Sequence, residues 1–287
     1  MTYDKNLKKF CKKNNYTSLI AIFIDWLMIF IAIYIAIKLD NVIIDLIIIW
    51  FIGIKQYSLG EVFVHEASHN NLFSTTKLNT KLQLLFAYPF FASVEAYRKE
   101  HIPHHNQLGK KGIDPLCTIY KRHGLNVPNP NLFWIWFVRP LLGICSIEFF
   151  TDKIKNLDYK NFKGTIIVYI ILLFISYYFN FIQQLFLYWL IPFLWCIPAF
   201  YCWQEIEDHF NAKGIARTNI GFIRNFLAHN TGYHYAHHQC PGIPWFYLRK
   251  AHLEFFSDCR DISLNFFDTY RCITKKIPSN ELNNICK

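Results

Sequence analysis

Apolar side chains fall in long blocks along this chain, not in the alternation of a half-buried sheet, and the blocks are long enough to cross a bilayer. The first runs from Leu19 to Ile37, behind a leader that holds Lys5, Lys8, Lys9, Lys12 and Lys13. It is longer than a signal-peptide core and no small-residue cleavage site follows it, so it predicts a retained transmembrane helix. A polar link, Lys38 to Asn41, precedes a second block from Val42 to about Phe63. At about 1.5 Å per residue this block recrosses a hydrocarbon layer roughly 30 Å thick. Between Thr165 and Trp203 no charged residue occurs, a stretch roughly twice the ~20 residues of one span, so it must turn. Its only amide residues, Asn180, Gln183 and Gln184, mark the turn. The pattern therefore predicts an all-α integral membrane protein with four transmembrane helices in two hairpins, at about residues 19–37, 42–63, 165–181 and 184–203. Leu82 to Tyr97 and Leu132 to Phe150 are apolar but broken by Pro89, Arg139 and Pro140, and are expected to lie in or dip into the interface.

Composition agrees: 53% hydrophobic residues, 17% charged and a mean hydropathy of +0.15 exclude disordered, collagen-like and coiled-coil chains. The net charge of +10 needs a location before it means anything. Nearly all the basic residues lie at the N-terminus, between the hairpins and after Trp203, while the two outer links hold only Lys38 and Asp40. The positive-inside rule then puts both termini and the central region on the cytoplasmic side, in a multi-pass protein of either the plasma membrane or the endoplasmic reticulum. Anionic lipid explains the charge, and no nucleic-acid partner is expected. Asp25 and Lys55, charges inside the first and second blocks, sit at matching depths and are expected to pair across the first hairpin. The nine cysteines are scattered, with neither a disulfide framework nor a zinc knuckle readable from their spacing.

Histidine is the anomaly. Nine of the twelve fall in His65-Glu-Ala-Ser-His69, His101-Ile-Pro-His104-His105, His234-Tyr-Ala-His237-His238, and a lone His209 behind Asp208. On a helix, residues i, i+3 and i+4 share a face, so each group is expected to aim its imidazoles at a common point in a helical cap on the cytoplasmic side. A single zinc uses only about three or four protein ligands, so the count fits a two-metal site. Imidazole suits iron, copper, nickel and zinc alike; a redox-active pair at the head of a buried apolar site favours iron and O2 chemistry on a lipid chain. A rival stands in the first group, which is literally H-E-x-x-H, two zinc ligands and a general-base glutamate, as in a membrane zinc protease. That reading leaves the other two groups without a role. Glu66, Glu100, Glu205, Asp208 and Asn230 are candidates to stand behind the ligands, orienting imidazoles through their second N–H, with Asn230 also able to hold a metal-bound water. His123, His229 and His252 lie outside the groups and are not read as ligands.

These residues resemble the membrane fatty acid desaturase family and its relatives, marked by three histidine boxes in this order. His65 to His69, followed by Asn70, Asn71, Leu72 and Phe73, is similar to the first box. His101 to His105, continuing through Leu108, Gly109, Asp114 and Pro115, is similar to the second. Asn230, Tyr233, His234, His237, His238, Pro241 and Pro244 resemble the third, and Asp208-His209 resembles the acidic-His pair that supplies a further ligand. The likeness spans about residues 60 to 252, within a single desaturase-like domain over 1–287. It implies a non-haem di-iron oxidoreductase with O2 as co-substrate and metal ligands His65, His69, His101, His104, His105, His209, His234, His237 and His238. The expected reaction is a double bond placed in a fatty acyl chain of a membrane lipid or thioester. With no b-type cytochrome domain readable in the chain, electrons are expected from a separate b-type cytochrome, or a ferredoxin with its reductase. The first box, with three intervening residues, looks more like the acyl-lipid desaturases than the acyl-CoA type. Carotenoid ketolases and hydroxylases, or another lipid hydroxylase on the same scaffold, are the main alternative.

Overall fold

The computed structural model describes residues 5–155, 159–275 and 286. Residues 1–4, 276–285 and 287, at the ends expected on the cytoplasmic side, lie outside the described residues. α1 (Asn15–Leu39) and α2 (Val42–Ser68) form the first hairpin. Each starts on an asparagine cap: Asn14 accepts from Tyr16 and Thr17 N–H at 3.0 and 3.2 Å, and Asn41 accepts from Ile43 and Ile44 at the same distances. Between them Asp40 takes the left-handed conformation that closes the turn. On α1 the buried positions Ile22, Asp25, Ile29, Ala32 and Ala36 recur at spacings of three and four, a stripe facing protein. Phe23 and Phe30, off the stripe, are exposed. α2 runs past the predicted end at Phe63, widens to a π-helical turn at Ser58–Val62, and so carries His65 on the span itself.

α3 (Val94–Asn106) and α4 (Pro115–His123) follow, each starting on a side-chain cap, Ser93 and Asp114. α5 (Trp134–Leu141) and α6 (Ile144–Lys155) occupy the block expected at the interface and are bent 79° from each other at a short break. α7 (Phe162–Tyr178) is apolar but shorter than the spans; it lies over the third predicted block. The chain then turns at Asn180, as expected, with φ +59°. α8 (Ile182–His209) runs six residues beyond the predicted end at Trp203 and carries Asp208 and His209 on its last turn. The fold is thus mostly helical, with three helices long and apolar enough to cross a membrane among the described residues, or four if the bent pair counts as one span. α2 and α8 approach closely at Gly53, where a Cβ would stand 2.2 Å from that of Cys196, so only glycine fits.

The remaining segments are short. β1 (Thr218–Asn219), α9 (Phe222–Leu227), α10 (His234–Gln239), α11 (Trp245–Phe255), β2 (Ile262–Ser263) and α12 (Phe266–Thr274) follow in order. β1 and β2 pair in parallel, Thr218 with Ile262 and Asn219 with Ser263. Cys117 on α4 is disulfide-bonded to Cys286, a separation of 169 residues that spacing in the sequence does not reveal.

The hairpin pair forms as expected: Lys55 Nζ lies 2.8 Å from Asp25 Oδ1, both side chains buried. The sequence did not indicate its third member. His229 Nε2 lies 2.7 Å from Asp25 Oδ2, and Lys55 also donates to the Leu227 carbonyl at 2.9 Å, tying the hairpin to the loop before the third histidine group.

Candidate metal centre

Four elements bring the nine histidines together. The end of α2 supplies His65 and His69; α3 supplies His101, His104 and His105; the end of α8 supplies His209; and α10 supplies the last three. Arg98 of α3 donates to the Ser68 and Ala67 carbonyls at 2.7 and 3.1 Å, locking the first group against the second through the open end of α2. Asn71 Nδ2 donates to the Pro241 carbonyl at 2.6 Å, locking the first group against the third.

The imidazoles do not converge box by box. They form one group of His65, His69, His101, His105 and His237 and another of His104, His209, His234 and His238, each with its ligand atoms within 4.8 Å of one another. Helical geometry gives the reason. At about 100° per residue, i and i+4 point within roughly 40° of each other, while neighbours i+3 and i+4 diverge by a full 100°. Hence His65 and His69, His101 and His105, and His234 and His238 stay together, while His104 and His237 turn to the opposite group. The second and third boxes thus bridge two centres, which corrects the expectation of one common point per box.

The donor chemistry of these groups fits metal ions. His104 Nδ1 donates to Asp114 Oδ1 at 2.9 Å, and His209 Nδ1 donates to the Ile215 carbonyl at 2.9 Å. Their Nε2 atoms, left as lone pairs in the neutral rings, nonetheless face each other at 3.2 Å, and His234 Nε2 faces His209 Nε2 at 3.0 Å. In the other group Nε2 of His237 lies 2.9 Å from that of His65 and 3.0 Å from that of His105, which itself lies 2.9 Å from His101 Nε2. His69 Nε2 and His238 Nε2 are buried without a hydrogen-bond partner. Nitrogens packed this way without enough protons to share are stabilised by a cation between them. Burial, reinforced by neighbouring imidazoles, pushes the pKa values of His69, His101, His234, His237 and His238 well down, and that of His105 to about 2, so the rings stay in their neutral, ligating form.

The residues expected behind the ligands divide. Asp208 Oδ2 lies 3.5 Å from His234 Nδ1, and its Oδ1 lies 3.7 Å from the Arg224 guanidinium. Glu66 lies 3.5 Å from His65 Nδ1, but its other oxygen accepts the Trp245 N–H at 3.0 Å. Asn230 turns its amide to the Trp245 carbonyl at 3.2 Å and holds the third-box loop. Glu100 and Glu205 line a small pocket with His65, His101, His104, His209 and His234. The sequence reading missed Asp114 as a partner of His104; its position before Pro115, as the cap of α4, was the available signal. That pocket shares Tyr97, Glu100, Pro115, Ile119 and Tyr201 with a cavity of about 660 Å³, whose walls include Phe91, Phe149, Phe150, Phe193 and Leu194. Two ion pairs border the cavity, Arg122 with Asp152 at 2.6 Å and Lys153 with Glu61 at 2.7 Å.

The site joins two histidine groups that could hold metal ions to an apolar cavity, in a helical protein whose longest helices are apolar enough to cross a membrane. The profile of the fatty acid desaturase family matches residues 41–270, and the chain belongs to that family. Among curated proteins, the dihydrorhizobitoxine desaturase of Bradyrhizobium elkanii is 27% identical over 231 residues, covering 70% of this chain. The chain spans 64% of the length of that relative.

Proposed function

We infer that the protein is an O2-dependent di-iron desaturase that places a double bond in an acyl chain of a membrane lipid or thioester. The observation that carries this is the pair of histidine groups opening, through shared walls, onto an apolar cavity. Volume and lining suit an extended hydrocarbon better than a compact polar substrate. His65, His69, His101, His105 and His237 would hold one iron, and His104, His209, His234 and His238 the other. Bound there, the iron pair supplies O2-dependent oxidation of C–H bonds. The chain's own residues do the rest: Phe149, Phe150 and Phe193 hold the hydrocarbon and exclude water, while Tyr97 and Tyr201 stand where cavity and metal pocket meet. Asp114, Asp208 and the Ile215 carbonyl fix the imidazole orientations. Placement of the substrate carbons to within about an ångström selects desaturation over hydroxylation.

The same reading takes four spans in two hairpins within one domain, with both termini and the histidines on the cytoplasmic side. It takes a separate b-type cytochrome or ferredoxin as electron donor. The relative carries desaturase in its name, which supports the reaction type, and the family supports a lipid substrate. A zinc protease is disfavoured by Glu66: the carboxylate that reading needs as a base is buried and holds the Trp245 N–H.

The test is expression in a host that supplies iron and reductase, followed by mass spectrometry of acyl lipids and carotenoids against the His104→Ala, His237→Ala double variant. A lipid lighter by two hydrogens, absent with the variant, is expected. A product heavier by one oxygen would move the assignment to a hydroxylase or ketolase.

A further inference from the structure

α9 is built inside out. Its sequence, Phe222-Ile-Arg-Asn-Phe-Leu227, turns its polar side chains inward: Asn225 is buried and donates to the Asn219 and Gly221 carbonyls at 2.8 and 2.9 Å. Arg224 also turns in, pairing with Glu207 and lying 3.7 Å from Asp208, the carboxylate beside His234. Its apolar side chains point outward, with Phe222 78%, Ile223 72% and Phe226 57% exposed and the two phenyl rings stacked at 5.7 Å. A helix that faces water shows the reverse arrangement. The apolar face continues onto the neighbouring strand segments. Ile220 is exposed and its N–H donates to the Ser263 carbonyl at 2.9 Å, and a Cβ on Gly221 would stand 2.7 Å from the Leu264 carbonyl, so exposed Leu264 abuts α9. Exposed Phe267 follows on α12 and stacks with Phe137 of the bent α5–α6 element at 6.4 Å. At the opposite edge the Leu227 carbonyl accepts from Lys55 and Ser58 of α2 at 2.9 and 2.8 Å. The face thus joins a membrane-crossing helix on one side to a bent apolar pair on the other.

We propose that the face formed by Ile220, Phe222, Ile223, Phe226, Leu264 and Phe267 is immersed in the lipid of the bilayer, at the end of α2 that carries the histidines. Attachment to apolar helices on both sides, through the Leu227 carbonyl to α2 and through the Phe267 ring to α5, commits the occupant to lipid, since water there would contact an apolar face held between two membrane-embedded elements. The consequence reaches the metal centre: lipid holds the outer face of α9 while its inner face presents Arg224 to Glu207 and Asp208.

The test places the photoreactive residue p-benzoylphenylalanine at position 222 or 223 of the full chain, reconstituted in phosphatidylcholine vesicles, with position 30 on the exposed side of α1 as the lipid-facing reference. Irradiation followed by mass spectrometry should give phosphatidylcholine adducts at 222 and 223, as at 30. A covalent dimer at 222 or 223 would overturn the proposal in favour of contact with a second copy of this chain. Adducts at 30 with none at 222 and 223 would overturn it in favour of a face open to water.

Discussion

The molecule buries two polar constellations, and they differ in what completes them. Asp25, Lys55 and His229 close on each other: both carboxylate oxygens have a partner, and the ammonium also reaches the Leu227 carbonyl. The nine histidines do not close. Their Nε2 atoms crowd at about 3 Å from one another, and those of His69 and His238 have no partner. A self-satisfied buried network serves the fold, whereas one whose nitrogens face each other without partners has the donor chemistry to take a ligand. This contrast separates structural from functional polar residues without reference to their position in the sequence.

The strongest way to break the comparison is in the unclosed network. His209→Ala, which removes a ligand from the four-membered group, is expected to abolish product formation in the lipid assay while the chain keeps its melting temperature in detergent to within a few degrees. A large fall in melting temperature without metal would make the histidines structural. In the closed network the opposite is expected: Lys55→Met leaves Asp25 without its cation and should cost about 3–5 kcal/mol by reversible denaturation in detergent. The Asp25→Asn, Lys55→Met pair should cost less than Lys55→Met alone. Asp114→Asn acts on the unclosed network, through His104. It keeps the shape but weakens the acceptor for His104 Nδ1, and a loss of about 10–100-fold in metal affinity is expected, read by competition with a chelator. The effect of pH is read on the metal-free chain. Unfolded imidazoles take up protons below about pH 6.5, while those held low by burial, such as His105 at about 2, do not. The unfolded state then binds more protons, so stability should decline as pH falls below about 6.5; a melting temperature that rises on acidification would contradict it.

Much of this was legible in the sequence for physical reasons. Candidate spans follow from long apolar runs, and the Asp25–Lys55 pair follows because depth along two antiparallel helices can be counted in residues. The nine histidines were legible because their type and local spacing are unusual together. What local spacing cannot carry is the partner supplied by a distant segment. His229 reaches Asp25 across 204 positions, and Asp114 reaches His104 around a turn. The division of the boxes between two groups was implicit in the helical angle between His104 and His105, but it takes the positions of α2, α8 and α10 to reveal which group each joins. The inverted polarity of α9 was hidden for the same reason, because its inward direction is set by Glu207 and Asn219.

The central claim is that the histidines form two metal-binding groups that draw on different members of the same boxes. Metal analysis of the purified full chain, with His237→Ala and His104→Ala made separately and together, tests it most directly. The account predicts two irons per chain, one left after either single substitution, and none after both. One zinc per chain, lost with His65→Ala but unaffected by His104→Ala, would contradict it.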